Sequence, residues 1–241
     1  MNEYYTRYRS ASSTGKNIFR ARHIQGLYKQ FALNFGRLLP SDKSTKIVDI
    51  GCGAGELIGW LQSRGFSNVV GYDLSEEQIK EAQESFHGDF FCADVLSSDF
   101  DFPRADVFFL RDVLEHFDNL QIDEILSRLQ THLNPGGCII IQTVNGSTHS
   151  GLVSFYSDYT HKTCFTERSL SQVINLRFGV NPDFFPWYRL GDSWKSMAAV
   201  ICSRILGRIR FVITAIDIGT GNKIFTPNLI AIIRFKDGIN D

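Results

Sequence analysis

The stretch from Val48 to Leu61, VDIGCGAGELIGWL, joins an apolar run to an amphipathic run through three glycines. Such a pattern predicts a buried strand that turns into a helix. Gly51, Gly53 and Gly55 would let backbone N–H groups come close to a ligand at the start of that helix. The fingerprint of dinucleotide-binding loops needs another glycine where Glu56 stands. Because an acidic residue there repels a pyrophosphate, the loop favours a ligand without phosphate groups that carries a cationic amino acid part.

Short apolar runs continue to alternate with amphipathic runs on both sides of this loop, which predicts parallel strands separated by helices. An amphipathic helix ended by Pro40 precedes the first strand, and Ser75 with Gln78 forms a helix-capping pair after the second. Seven strands are predicted, namely KIVDIG, NVVGYD, DFFCAD, DVFFLRD, CIIIQTV, DFFPWYRL and PNLIAIIRF. The expected fold class is therefore α/β, with a mostly parallel sheet covered by helices on both faces.

The regular alternation stops after Val144. Residues 145–166 are polar and include FYSDYTHKTCFT, which has no helical apolar stripe. A helix, TERSLSQVINLRFG, follows. The later stretch SWKSMAAVICSRILGRIRFVI has helical spacing and contains Arg204, Arg208 and Arg210. Three interpretations of this late helix stay open: a cap over the sheet, a contact in an oligomer, or an amphipathic helix on a membrane surface.

Charge is unevenly distributed although the formal net charge is only −1. Residues 1–46 carry nine Lys or Arg against two Asp or Glu, whereas residues 47–137 carry five basic and seventeen acidic residues. From residue 200 onward, six basic residues stand against three acidic ones. Basic flanks on an acidic body favour an anionic partner, such as a phosphorylated substrate or a membrane surface, or they are solvated helix faces. The near-neutral balance disfavours nucleic acid as a partner.

The cysteines and the N-terminus bear on the compartment. Five scattered cysteines without a CxxC pair argue against a disulfide framework or a structural zinc site and favour a reducing environment. The segment MNEYYTRYRS lacks the apolar core of a signal peptide. We therefore expect a cytoplasmic protein, with peripheral contact to the inner face of the membrane through the basic flanks as an open option.

The motifs together resemble class I S-adenosylmethionine (SAM) dependent methyltransferases, which have a Rossmann-like fold. The resemblance rests on Asp49-x-Gly51-x-Gly53-x-Gly55, on acids ending the second and third strands, on Leu114-Glu115-His116 and on the turn LNPGG, and it covers residues 47–144. It implies that Asp73 holds the ribose hydroxyls and that Asp94 lies near the adenine. The implied cofactor-binding residues are Asp49, Gly51, Cys52, Gly53, Gly55, Asp73, Leu74, Asp94, Val95 and Arg111. For Arg111, anion binding and a plain salt bridge both stay open.

The second half more loosely resembles methyltransferases of bacterial polysaccharide and O-antigen clusters, which often carry an Asp-x-x-His pair before a helix. Here Asp158 and His161 match that pair, with Phe165 as the nearby aromatic. Histidine titrates in the range useful to a general base, so we expect His161 to be the catalytic base and Asp158 its orienting partner. His116 and His149 are rival bases. No His, Asp and Glu cluster has recognisable ligand spacing, so a metal site is not required. Some sugar methyltransferases use Mg²⁺, and metal dependence stays open.

Three segments of one domain follow: an acceptor lid at 1–46, a SAM-binding core at 47–144, and an acceptor-binding segment with the last strands at 145–241. The predicted function is O-methylation of a sugar hydroxyl in a bacterial surface glycan or its lipid- or nucleotide-linked precursor. A small-molecule methyltransferase acting on a phenol or quinone-type acceptor is the alternative. A non-catalytic SAM-binding partner subunit is the third possibility, and the sequence leaves the oligomeric state open.

Overall fold

The structure, a computed structural model, describes residues 21–189 and 223–235, together with helical positions at intervals between 198 and 216. Seven strands form one sheet in the order β3-β2-β1-β4-β5-β7-β6. Their bounds are β1 Ile47–Ile50, β2 Val69–Asp73, β3 Asp89–Cys92, β4 Ala105–Arg111, β5 Leu133–Val144, β6 Asp183–Pro186 and β7 Asn228–Arg234. The predicted Rossmann-like class is confirmed, and each of the seven strands overlaps a predicted apolar run. β5 begins earlier than predicted, because Leu133 already pairs with Ala105 of β4, so the residues of the expected turn LNPGG belong to this strand.

Six helices lie within the two continuous described ranges. They are α1 Ala21–Phe35, α2 Glu56–Ser63, α3 Glu76–Ser85, α4 Asn119–His132, α5 His149–Tyr156 and α6 Glu167–Phe178, with a 3₁₀ turn at Leu114–His116. Ser75 caps α3 by accepting a hydrogen bond from the Gln78 N–H, as the sequence predicts. Residues 1–20 of the expected N-terminal lid lie outside the described residues.

Pairing within the sheet fixes where a ligand can bind. β1 lies between β2 and β4 and is parallel to both, so the connections leaving β1 and β4 run in opposite directions along the sheet. Parallel strands that diverge in this way open a crevice at their carboxyl ends. β7 lies between β5 and β6 and is antiparallel to both, so the otherwise parallel sheet has antiparallel pairing at this edge.

Two apolar layers cover the sheet. On one face, α1 and α2 pack an aromatic cluster in which the Phe35 ring lies 5.3 Å from those of both Phe109 and Trp187. On the other face, α4 and α6 bury Leu126, Ile174 and their neighbours against Phe108. Burial of whole aromatic and aliphatic side chains at roughly 1.5–3 kcal/mol each holds both layers in place. The carboxyl ends of the central strands therefore stand on a rigid support.

The polar segment 145–166 contains a helix that its composition does not predict. Thr148 caps α5 by accepting a hydrogen bond from the Gly151 N–H at 2.9 Å. Gly151 is required there, because a Cβ would lie 1.9 Å from the Asn145 carbonyl oxygen. Close packing of α5 against the end of β5, rather than an apolar stripe in the sequence, therefore determines where this helix forms. Among the described helices, none combines the length and apolar character needed to cross a bilayer.

Candidate functional site

The glycine loop between β1 and α2 adopts a conformation that side chains would obstruct. Gly51 and Gly55 have φ angles of +68° and +83°, in the left-handed region where residues with a Cβ are strained. A Cβ on Gly51 would lie 2.3 Å from Val113 Cγ2, and one on Gly55 would lie 2.8 Å from Phe90 Cε1. Both the Gly51 and Cys52 N–H groups donate to the Tyr72 carbonyl, at 2.7 and 3.0 Å. The loop is thus fixed tightly across the ends of β1 and β2.

Asp73, the last residue of β2, is joined directly to this loop. One carboxylate oxygen accepts a hydrogen bond from the Gly53 N–H at 2.9 Å, and the other accepts from the Ser75 N–H at 2.8 Å. Burial raises the pKa of Asp73, and these backbone donors partly offset that rise. Asp73 therefore presents an acceptor carboxylate at the loop, where hydroxyl groups of a ligand could bind.

Asp49 lies beneath the loop near the end of β1 and is only 1% exposed. Neither of its carboxylate oxygens has a hydrogen-bond partner among the described residues. Removal from water raises its pKa to about 7, while the positive charge of Arg111 acts in the opposite direction. A buried carboxylate without donors is unfavourable unless a positive charge approaches. The negative charge of Asp49 therefore favours binding of a cationic ligand at the loop by electrostatic attraction, without a direct hydrogen bond.

Arg111 ends β4, and its positive charge acts on both Asp49 and Asp112. Its guanidinium lies 5.4 Å from the centre of the Phe31 ring, and one terminal nitrogen is 3.6 Å from the Asp112 carboxylate. Its Nε is buried and has no hydrogen-bond partner among the described residues. The structure thus shows the salt bridge, and the buried Nε leaves a donor that an anionic group could use.

The loop after β3 is organised by hydrogen bonds to its own backbone. Asp94 accepts from the Leu96 N–H at 3.0 Å, and the Arg128 guanidinium donates to the Val95 carbonyl at 2.8 Å. Two other expected cofactor-binding residues, Cys52 and Leu74, take part through their backbone. The side chain of Cys52 is fully buried in the core. The backbone carbonyl of Leu74 accepts a hydrogen bond from the Cys92 thiol.

Asp112 is a residue that sequence reasoning missed. It has a φ of +55°, unusual for a residue other than glycine, and strain of this kind concentrates at functional sites. Its carboxylate accepts hydrogen bonds from the Gln142 amide at 2.9 Å and from the Asn228 amide at 2.9 Å. Strands β5 and β7 thus hold Asp112 in place at the end of β4. Asp112 is recognised only by hydrogen-bond partners that are distant in the sequence, so no local motif could have indicated it.

Glu115 anchors the polar segment to the core. It is 1% exposed, and its carboxyl group accepts a hydrogen bond from the Thr143 hydroxyl at 2.9 Å. Burial, reinforced by the negative charge of Asp112, raises its pKa to about 8. Its backbone carbonyl accepts from the Lys162 and Thr163 N–H groups, at 2.7 and 3.1 Å. The segment 158–163 is therefore held over the carboxyl end of β4.

This anchoring brings His116 and His161 together, with ring centroids 4.7 Å apart. His161 Nδ1 lies 2.8 Å from the Phe155 carbonyl oxygen, which can only accept, so Nδ1 carries the proton. His116 Nδ1 lies 2.9 Å from the Thr160 hydroxyl, whose own proton goes to Asp158 at 2.7 Å. In a neutral imidazole that donates through Nδ1, Nε2 is the nitrogen that can accept a proton. Burial and the neighbouring His161 lower the pKa of His116 to about 4.

The predicted pairing of Asp158 with His161 takes a different form. Asp158 accepts from the N–H and hydroxyl of Thr160, and His161 is oriented by the Phe155 carbonyl and by stacking on the Phe155 ring at 5.4 Å. Through Thr160, Asp158 acts on His116. His149 begins α5 and lines a pocket with Arg210, at the other end of that helix from Phe155.

No group of three or more His, Cys, Asp or Glu that could hold a metal ion occurs in the described part of the chain. The glycine loop, Asp49, Asp73 and Asp94 lie at adjacent strand ends on one side, and the two histidines lie beside them at the end of β4. The arrangement could bind a cationic, hydroxyl-bearing ligand next to a pair of imidazole rings.

Comparison with protein families gives a match over residues 20–181, about two thirds of the chain, to a model described as a methyltransferase domain. The chain is 30% identical over 104 residues to a ubiquinone biosynthesis O-methyltransferase of Rickettsia canadensis. That alignment covers 42% of this chain and 43% of the relative. The chain is also 27% identical over 113 residues to a phosphoethanolamine N-methyltransferase of wheat. This second alignment covers 44% of the chain and 22% of the relative. The alignments thus span less than half the length of these relatives.

Solved structures give a broader match. A SAM-dependent methyltransferase from Archaeoglobus fulgidus superposes with a TM-score of 0.64 and 19% sequence identity. The alignment covers 88% of this chain and 94% of that protein. At 19% identity the superposition shows a shared fold, built on the seven-stranded sheet, and nothing more.

Proposed function

The chain belongs to the methyltransferase domain family and has the Rossmann-like fold of SAM-dependent methyltransferases, and on this premise we propose that it O-methylates a sugar hydroxyl. The proposed acceptor is a bacterial surface glycan or its lipid- or nucleotide-linked precursor. The observation that carries the proposal is the pair His116 and His161, whose rings lie 4.7 Å apart and are each oriented by a hydrogen bond at Nδ1.

The residues at the strand ends fit SAM. Asp49 provides a negative charge beneath a loop that has no room for side chains, and Asp73 provides an acceptor carboxylate for the ribose hydroxyls. Asp94 and the Val95 backbone lie at the next strand end, where the adenine would bind. SAM supplies a methyl group on a positively charged sulfonium, which makes the methyl carbon electrophilic. The carboxylates of this chain favour binding of that charge.

Residues 155–166, which we call the histidine lid to distinguish them from the expected N-terminal lid at 1–46, provide the base. A sugar hydroxyl keeps its proton at neutral pH, so removal of the proton as the oxygen attacks the methyl carbon would speed transfer by roughly 10²–10⁴-fold. We assign this role to His161 Nε2, because Phe155 fixes the ring through Nδ1. The new C–O bond would form as the methyl–sulfur bond of SAM breaks, so the sulfonium would leave as a neutral thioether and the acceptor proton would pass to His161 Nε2. Alignment of acceptor and methyl group by the rigid strand ends contributes further.

Two features of the histidine lid support a saccharide acceptor. Tyr156 and Tyr159 are 81% and 90% exposed, and their rings offer flat apolar faces of the kind that pack against sugar rings. Asp158 and Thr160 add polar groups in the same segment. A lid that presents aromatic faces and hydrogen-bonding groups together suits a polyhydroxylated acceptor.

The Rickettsia relative favours one alternative, a phenol or quinone-type acceptor. A phenol is more acidic than a sugar hydroxyl, so the same histidine would serve with less demand on its basicity. A non-catalytic SAM-binding subunit is the further alternative, in which the loop binds SAM and no acceptor is methylated.

The test is calorimetric titration with SAM and its demethylated product, followed by incubation with labelled SAM and a panel of bacterial glycans and phenols. Label in a saccharide, lost in the His161→Ala variant, would support the proposal. Label only in phenols would assign the alternative. Binding of SAM without label in any acceptor would favour the partner subunit, and absence of SAM binding would overturn the whole assignment.

A further inference from the structure

We propose that the late helical stretch between 198 and 216, together with the start of α5, docks the protein onto an anionic phospholipid bilayer. The first observation is a row of exposed aliphatic side chains, each between 49% and 78% exposed: Ile201, Ile205, Leu206, Ile209, Val212, Ile213 and Ile216. Their spacing of mostly three and four residues places them on one side of a helix. Exposed apolar patches of this extent mark binding surfaces.

The charge composition of this stretch, in which Lys195, Arg204 and Arg208 lie outside the described residues, indicates the partner. From Ser193 to Ile216 the sequence contains Lys195, Arg204, Arg208 and Arg210 and no acidic residue. Helices that lie in a membrane interface combine an apolar face with Lys and Arg in this way. A second copy of this chain fits less well, because a two-fold contact would bring this basic stretch against itself. The complementary surface is therefore negatively charged and has an apolar interior.

A pocket at the start of α5 adds a site for a headgroup phosphate. It encloses about 210 Å³ and is lined by Ser147, Thr148, His149, Arg210, Ile213 and Phe225. Arg210 provides a guanidinium, the first turn of α5 provides the positive end of a helix, and both favour a phosphate. The buried Ser147 Oγ has no hydrogen-bond partner among the described residues, so it has a donor to offer. Ile213 and Phe225 would contact the apolar part of the same lipid.

The proposed docking surface is linked through α5 to the residues that would bind the acceptor. α5 connects the pocket to the histidine lid, and its eight residues span roughly 12 Å. Leu152 and Val153 on α5 are 39% and 52% exposed and extend the apolar surface along it. Docking at this face would hold the His116–His161 pair close to the bilayer. The proposal concerns binding alone, so it can succeed or fail independently of the methyl transfer.

The experiment is co-sedimentation of the full chain with vesicles of phosphatidylcholine alone and with about 30% phosphatidylglycerol, at low and high salt. We expect binding only to the anionic vesicles and its loss at high salt. Arg210→Glu should weaken binding by roughly 30-fold, because it changes the charge by two units near the surface. Ile205→Glu and Ile209→Glu should each weaken it about tenfold or more. Leu176→Glu on α6, where the leucine is 79% exposed, is the matched control and should bind like the wild type.

Several results would overturn the proposal. These are absence of binding at low salt, equal binding to neutral vesicles, and an equal loss of binding in the Leu176→Glu control. Release by soluble glycerol phosphate, below concentrations that screen charge, would assign the pocket to a free phosphate ligand instead. A dimer in light scattering that Ile209→Glu dissociates, without vesicle binding, would assign the face to a second copy of the chain.

Discussion

The rings of His116 and His161 lie 4.7 Å apart with planes inclined at 59°, and each ring is oriented through Nδ1 by a different acceptor. His161 depends on a backbone carbonyl, whereas His116 depends on a hydroxyl that is itself bound to Asp158. Two separate motifs thus bring two imidazole rings together, each oriented by its own hydrogen bond. Substitutions at the two positions should therefore have separable effects.

Replacing His161 with Ala should lower turnover by roughly 10²–10⁴-fold and leave SAM affinity unchanged, because we propose His161 as the base for the acceptor and it lies outside the glycine loop. Turnover with a saturating acceptor, alongside calorimetric titration with SAM, checks this. His149→Ala, at the exposed start of α5, is the control and should retain nearly full turnover. Near-normal activity of His161→Ala would remove it as the base and direct attention to His116.

Replacing Asp49 with Asn should flatten the pH dependence of SAM binding. The pKa of Asp49 is raised to about 7, so the carboxylate gains its charge as pH rises from about 6 to 8. A cationic ligand then binds more tightly to the wild type at higher pH, by roughly tenfold if binding lowers that pKa by one unit. Calorimetry in two buffers of different ionisation enthalpy should detect proton release for the wild type near pH 6.5. Equal proton release by Asp49→Asn would contradict the assignment.

Replacing Gly51 with Ala should abolish SAM binding and cost more stability than the left-handed backbone alone accounts for. The new methyl group would lie 2.3 Å from Val113 Cγ2. Gly179→Ala is the matched control, since its φ of +67° is nearly the same and nothing lies within 4 Å of its Cβ. The control should lose only about 1–2 kcal/mol of unfolding free energy. Chemical denaturation of both variants compares them, and equal losses would show that Val113 moves aside.

Replacing Glu115 with Gln should remove part of the pH dependence of stability. The folded protein keeps the Glu115 proton up to a pKa of about 8, whereas an unfolded glutamic acid releases it near 4.3. Between these values the folded state binds more protons, so this carboxyl group lowers the unfolding free energy as pH rises. The Gln variant should therefore gain stability relative to the wild type from pH 5 to pH 8, by up to ~4 kcal/mol. Urea unfolding at pH 5, 6.5 and 8 measures the difference, and parallel curves would contradict a buried, protonated Glu115.

Local sequence carried most of the fold. The strands and most helices follow from apolar runs, capping residues and glycines, because those signals act between neighbours in the chain. The glycine loop, Asp73 and Asp94 were placed correctly at strand ends for the same reason. Helix α5 was missed, since its position depends on Gly151 fitting against the Asn145 carbonyl rather than on an apolar stripe.

The site itself divides along the same line. The sequence by itself determined the doubly wound sheet, the glycine loop and the presence of a polar segment rich in histidine, because periodicity and backbone freedom are written into short stretches. Only the tertiary structure decided that Asp158 acts through Thr160 on His116, and that Asp112 is held by Gln142 and Asn228. It alone set the raised pKa values of Asp49 and Glu115. Hydrogen bonds between residues distant in the chain and removal of charge from water depend on the packed molecule, and no local pattern encodes them.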